Sequence, residues 1–136
     1  MVTINALARD TRAINDGEWF ASPDFPDVKI MTRGYTDDYI DALNKRMKRA
    51  TEAHRCTSDT LPQNVLRNIN AELVAQYLLL DVEGLTEADG TTKLDVEKLK
   101  SLLAQPEYNR LLALCFEAAA AVTVSADQQR ADALGN

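Results

Sequence analysis

The chain has 136 residues, 46% of them hydrophobic and 26% charged, with a formal net charge of −6. That length suits one domain able to bury a core without metals or disulfides. The acidic balance opposes wholesale nucleic-acid coating, because neutralising phosphates needs an excess of Lys and Arg.

Aromatic residues are 6% of the chain, with one Trp. The core is therefore expected to be aliphatic, and its alanines and leucines favour helices. Cys56 and Cys115 are far apart and do not form a disulfide framework, which points to a reducing compartment. The opening "MVTINALARDTR" lacks the apolar centre of a secretory signal. The uninterrupted apolar runs are shorter than a membrane span. Together these features lead to the expectation of a cytoplasmic protein that does not engage membranes.

In chain order, residues 1–35 stand apart, with Gly17, Pro23, Pro26 and Gly34 punctuating them. Residues before Asn15 suit an arm or a short helix. Glu18–Ala21 and Val28–Thr32 read as a small hairpin, since Val28, Ile30 and Thr32 alternate with Lys29, Met31 and Arg33. An isolated hairpin is marginal in water and must pack on something.

Thr36 is a natural N-cap, and Asp37 and Asp38 suit the positive end of a helix dipole. Ile40, Leu43, Met47, Ala50 and His54 then repeat at helical spacing. Pro62 opens a second helix, marked by Val65, Leu66, Ile69, Leu73, Tyr77 and Leu80. Its end, Leu78–Leu80, is apolar on several faces, as expected of a segment that is buried or awaiting a partner.

After an acidic loop at 83–93, Asp95 caps a third helix with Val96, Leu99, Leu102 and Leu103 inward. Pro106 permits a break. A fourth helix follows with Tyr108, Leu111, Leu112, Cys115, Ala119 and Val122 on one face. The polar end "SADQQRADALGN" reads as a frayed tail. The expected fold is mainly α: about four helices with a small N-terminal β-hairpin or extended segment, in a single domain. Its parts are an extended segment 1–35, a helical core 36–124 and a flexible tail 125–136.

The loop "DVEGLTEADGTTKLD" invites a metal or catalytic reading. Counted from Asp81, a calcium loop of the EF-hand type would need glycine at the sixth position and Glu at the twelfth; Thr86 and Thr92 stand there instead. A catalytic carboxylate pair needs an apolar setting to push its pKa values apart, and Glu83, Glu87 and Asp89 sit among polar neighbours. Asp89-Gly90 suits a turn with a left-handed residue. His54 is the only histidine, too few for a zinc site or a hydrolase triad. No glycine-rich phosphate loop is present. The expectation is a protein without enzymatic activity, cofactor or metal.

Lys45, Arg46, Lys48 and Arg49 form a basic helix face that suits phosphates or an acidic partner. The later part of the chain is acidic. This segregation suits docking or self-association at least as well as nucleic acid, which the net charge disfavours.

Three stretches together resemble a known family. "GEWFASPDFPDVKIMTRGYTDDYIDALNKRM", "LVAQYLLLDVEGLTEADG" and "KLKSLLAQPEYNRLLALCFEAAA" are similar, in that order, to segments of the tail assembly chaperones of long-tailed bacteriophages and prophages. The resemblance spans roughly Gly17 to Ala121. It implies binding and solubilising of the tape measure protein in the host cytoplasm during tail morphogenesis, with the tail tube protein as a further partner and no place in the mature virion. A frameshifted longer product and homo-oligomers are features such a family allows. Leu78, Leu79, Leu80, Val82 and Leu85 are the candidate client surface or, equally, core; Lys45, Arg46, Lys48 and Arg49 are an electrostatic second contact. The alternative is another phage morphogenesis protein such as a helical head–tail connector, and after it a nucleic-acid-binding regulator.

Overall fold

A computed structural model of the chain describes residues 1–135, apart from the side chains of Ala6 and of residues 128–135. It is mostly helical (60%), with four main helices and a small three-stranded antiparallel sheet. After a 3-10 turn at Ile4–Leu7 the elements are α1 (Thr11–Asp16), β1 (Glu18–Ala21), β2 (Lys29–Thr32), α2 (Asp37–His54), α3 (Gln63–Leu73), β3 (Leu79–Glu83), α4 (Val96–Leu102) and α5 (Asn109–Gly135).

The expected hairpin forms. Glu18 pairs with Thr32 and Ala21 with Lys29. What makes it stable is a third strand that the helical pattern concealed. The second helix ends at Leu73, passes through one wide π turn at Val74–Leu78, and the chain then extends as β3. The expected helical end Leu78–Leu80 is thus corrected: Leu78 closes the π turn, and Leu79 and Leu80 begin a strand. The reason is tertiary. β2 has a second edge whose backbone groups need partners, and Ile30 meets Val82 there while Arg33 N donates to Leu78 O at 2.9 Å. A bulge at Met31/Thr32 leaves Leu80 as the extra residue, since Thr32 pairs with Leu79 and Met31 with Asp81.

Phe20, Ile30 and Val82 line up across the three strands and face the core. Against them lies α5, the central helix, which buries Leu112, Leu114, Cys115, Ala118, Ala119, Val122 and Ala126. Its alanines let the sheet and α1 approach closely. Burial pushes the Cys115 thiol up to about 12, so it is an inert apolar group there. By length and composition Pro106–Asp127 could cross a bilayer, which the count of uninterrupted apolar residues did not anticipate. In this structure one side of it is core. Thr123 fixes the sheet exit to α5: its Oγ1 donates to Ala119 O at 2.8 Å and accepts from Tyr35 N at 3.0 Å.

Of the expected flexible tail 125–136, the backbone through Gly135 continues α5. Ala126 is fully buried, and Asp127 pairs with Arg9 at 3.0 Å. Asn136 lies outside the described residues.

The caps behave as their chemistry requires. Thr36 Oγ1 accepts from Tyr39 N, and Asp95 Oδ1 accepts from Lys98 N. The expected stripe of α2 holds in its middle and differs at its two ends. Tyr39 is buried, with Leu43, Met47 and Ala50 half-buried behind it, while Ile40 and His54 are exposed. Tyr39 wins the inward position because its ring packs on Tyr35, centroids 5.6 Å apart.

Candidate docking groove

The acidic loop is more ordered than its composition implies. Thr86 and Lys93 form an antiparallel bridge, Glu87 N donates to Thr92 O at 2.8 Å, and Leu94 N donates to Leu85 O at 2.9 Å. Gly90, at φ +77°, turns the tip. Asp89 locks it: its carboxylate accepts from Thr91 N and Thr92 N at 2.9 Å and from the Thr92 hydroxyl. These bonds, that of the Thr92 side chain foremost, hold its pKa down to about 2 although it is fully exposed. Asp89 is therefore a turn-forming carboxylate, kept ionised and fully engaged. Among the described residues no three His, Cys, Asp or Glu side chains gather as metal ligands would.

The loop makes one wall of a groove of about 660 Å³. The facing wall comes from Lys98 and Leu102 of α4, Tyr108 of the following turn, and Leu111 in the first turn of α5. Leu94 forms a buried floor at 8% exposure, and Leu85, Leu102 and Leu111 are half-buried with part of each side chain in the groove. Glu87 and Asp89 supply its lip. A second hollow of about 520 Å³ shares Leu85, Thr86 and Leu94 and reaches back along Val82 and Glu83. The size falls in the range of natural binding pockets, about 300–1,000 Å³. Leu85, Ala88, Leu94, Leu102 and Leu111 give the groove an apolar stretch among polar lining residues, which suits apolar side chains.

The candidate client residues part company here. Leu78 and Leu79 are buried at 0% and 3% and belong to the core, as does Val82 at 7%. Of the two readings open for these three, client surface and core, their burial supports core: Leu78 closes the π turn, and Leu79 and Val82 lie on the buried face of β3. Leu80, the bulge residue, is half-buried and packs over Gly17. Leu85 alone of the five lines the groove.

The basic residues also divide. Lys45, Lys48 and Arg49 are exposed on α2. Arg46 is half-buried and engaged by Glu72 at 2.6 Å across the α2–α3 contact. Arg46 and Arg49 flank a shallow cleft of about 350 Å³ floored by Ala50, Val65 and Ile69.

The helical spacing predicts Leu102, Tyr108 and Leu111 wholly on inward faces and gives Leu94 no role. The available signal was the Asp-Gly turn between Leu85 and Leu94, a hairpin tip that predicts two strands lifting off the body.

This arrangement defines a small helical protein that carries, among its described residues, a groove with apolar walls and an acidic lip. The family model described as "YdaY prophage protein" matches residues 35–136, and the chain belongs to that family: it is a phage or prophage protein. No curated protein and no solved structure matches the chain.

Proposed function

We propose that this prophage protein is a tail assembly chaperone that binds the tape measure protein in the host cytoplasm and holds it soluble until tail assembly. The observation that carries the reading is the groove of Leu85, Leu94, Leu102, Tyr108 and Leu111. A holdase has to accept the apolar stripe of a client helix and release it by competition, and an open groove with half-exposed aliphatic walls suits that exchange. Membership of a prophage family and the resemblance to tail assembly chaperones support the same reading. The protein acts by binding, without catalysis. Lys45, Lys48 and Arg49 on α2 offer a second, electrostatic contact for acidic stretches of the client or of the tail tube protein.

The test is co-expression with the tape measure protein of the same prophage. A soluble complex is expected, weakened by Leu85→Ser and Tyr108→Ala in the groove while helicity is retained. A client that stays insoluble with no complex overturns the reading. Recovery of the protein as a stoichiometric part of purified particles favours a connector instead.

A further inference from the structure

Three charged side chains line the docking groove, and they are not equivalent. Asp89 is engaged at the loop tip, where its carboxylate accepts from Thr91 N, Thr92 N and the Thr92 hydroxyl. Glu87 is half-buried on the loop wall, and Lys98 is exposed on the α4 wall. Among the described residues neither of these two takes part in an ion pair. Lys93, the cation of the loop itself, lines the second hollow instead. The groove thus carries an unpaired carboxylate on one wall and an unpaired ammonium on the other, with Leu85, Leu94, Leu102 and Leu111 as its apolar surface.

We propose that Glu87 and Lys98 fix the direction in which a partner helix lies in this groove: its apolar stripe packs on the leucines, a basic flank faces the loop and an acidic flank faces α4. The inference deepens the chaperone reading and rests on its use of the groove by a client helix. A helix is selected over an extended peptide because the loop keeps its backbone to itself. Glu87 N donates to Thr92 O and Leu94 N to Leu85 O. Those amides offer no ladder to an added strand, so recognition falls to side chains. The α4 wall follows the groove for at least one turn, since Lys98 and Leu102 stand four residues apart on that helix and both line it. Such a wall suits the i, i+3, i+4, i+7 anchors of an amphipathic helix. An apolar stripe alone fits the groove in either direction. Turning the helix end for end exchanges its two flanks. Walls of opposite charge therefore accept one direction, and the other sets like charges face to face. The leucines supply the affinity and the two charges supply the polarity.

The test uses three synthetic helical peptides that share one leucine stripe. The first has Lys along one flank and Glu along the other, the second has Lys on both, and the third has Glu on both. Titrated with the full chain and followed by fluorescence anisotropy, the mixed peptide should bind about fivefold tighter than either uniform one. That is the scale of one attractive contact exchanged for a repulsive one at a partly exposed site. Added salt should shrink the difference, because exposed charges are screened. A spin label at the N-terminus of the mixed peptide should broaden amides at one end of α4, and exchanging the flanks should move the broadening to the other end. Glu87→Lys with Lys98→Glu should reverse the direction of the original peptide while keeping its affinity. Glu87→Gln with Lys98→Gln, the milder pair should the first fail to fold, should keep binding and broaden both ends alike. Equal affinity for the three peptides, no binding of any, broadening at both ends with the wild-type chain, or a direction unchanged in the substituted chains overturns the proposal. Co-expression of the wild-type chain with the tape measure protein separates the two readings. Capture of that client without peptide preference removes this inference and leaves the chaperone reading. Peptide preference without capture removes the chaperone reading and leaves a directional helix site.

Discussion

Two aliphatic stretches flank Gly84 and differ in what they do. Before it, Leu78, Leu79 and Val82 are buried in the core against α4 and α5. After it, Leu85 stands half-exposed on the wall of a groove. Composition separates them only in part: three leucines stand together before Asp81, Leu85 stands alone among polar residues after Gly84, and both sides adjoin acids. What separates them is the backbone. β3 is held by β2 and must bury alternate residues, whereas the loop beyond Gly84 pairs only with itself, so its apolar side chains are left facing an open space.

The sharpest way to break this contrast is to shorten one leucine on each side. Leu78→Ala should cost about 3 kcal/mol, within the span seen for fully buried leucines, read by urea denaturation. Leu85→Ala should cost about 1 kcal/mol, because only part of its surface leaves water, and should weaken client capture instead. Equal losses of stability would mean that the groove wall is core after all.

The hinge between the stretches gives the next effect. Gly84 has φ +86°, and a Cβ there would stand 1.8 Å from Asp27 O. Gly90 is also left-handed at φ +77°, but a Cβ there meets nothing within 4 Å. Gly84→Ala should therefore cost about 3 kcal/mol, from dihedral strain plus displacement of the 22–28 turn, and Gly90→Ala about 1 kcal/mol from the dihedral alone. Thermal melts of the two variants decide this. A Gly84→Ala protein as stable as Gly90→Ala would show that the junction is soft.

A smaller effect of opposite sign tests the dryness of the β3 rung. Thr32, opposite Leu79, is fully buried, and its Oγ1 has no hydrogen-bond partner among the described residues. Thr32→Val keeps the shape and removes the stranded hydroxyl, so stability should rise by about 1 kcal/mol. A loss would indicate that the hydroxyl is satisfied in solution.

These same residues show where the sequence is legible and where it is not. The hairpin, the Thr36 and Asp95 caps, the turn at Gly90 and the break at Pro106 were readable because each depends on chemistry within a few residues. β3 was not. Val74 to Leu80 has helical spacing, and only the free edge of β2, more than forty residues earlier, converts its end to a strand. The groove is half-readable: the sequence marks Leu85 as a candidate contact, but Leu102, Tyr108 and Leu111 sit at the margins of inward stripes. Periodicity assigns a residue to a face without showing where its neighbour stops covering it.

The smallest expected effect lies at the loop tip, where the Asp89 side chain adds to the backbone pairing that holds the groove wall. The pKa of Asp89 is depressed to about 2 from its ordinary 3.8 by the hydrogen bonds it accepts from Thr92 and Thr91. Its contribution is therefore fully present above pH 3.8 and is lost as pH falls through about 2. An amide titration should show Thr91 and Thr92 shifting together with a midpoint well below 3.8, and Asp89→Ala should abolish that step while leaving the core signals of Leu78 and Leu79 in place. If the two amides instead titrate at the ordinary value, the tip is not locked. The groove would then be shaped by the backbone pairing of the loop, Leu94 N to Leu85 O and Glu87 N to Thr92 O, and the contrast across Gly84 would rest on those bonds without a side-chain lock.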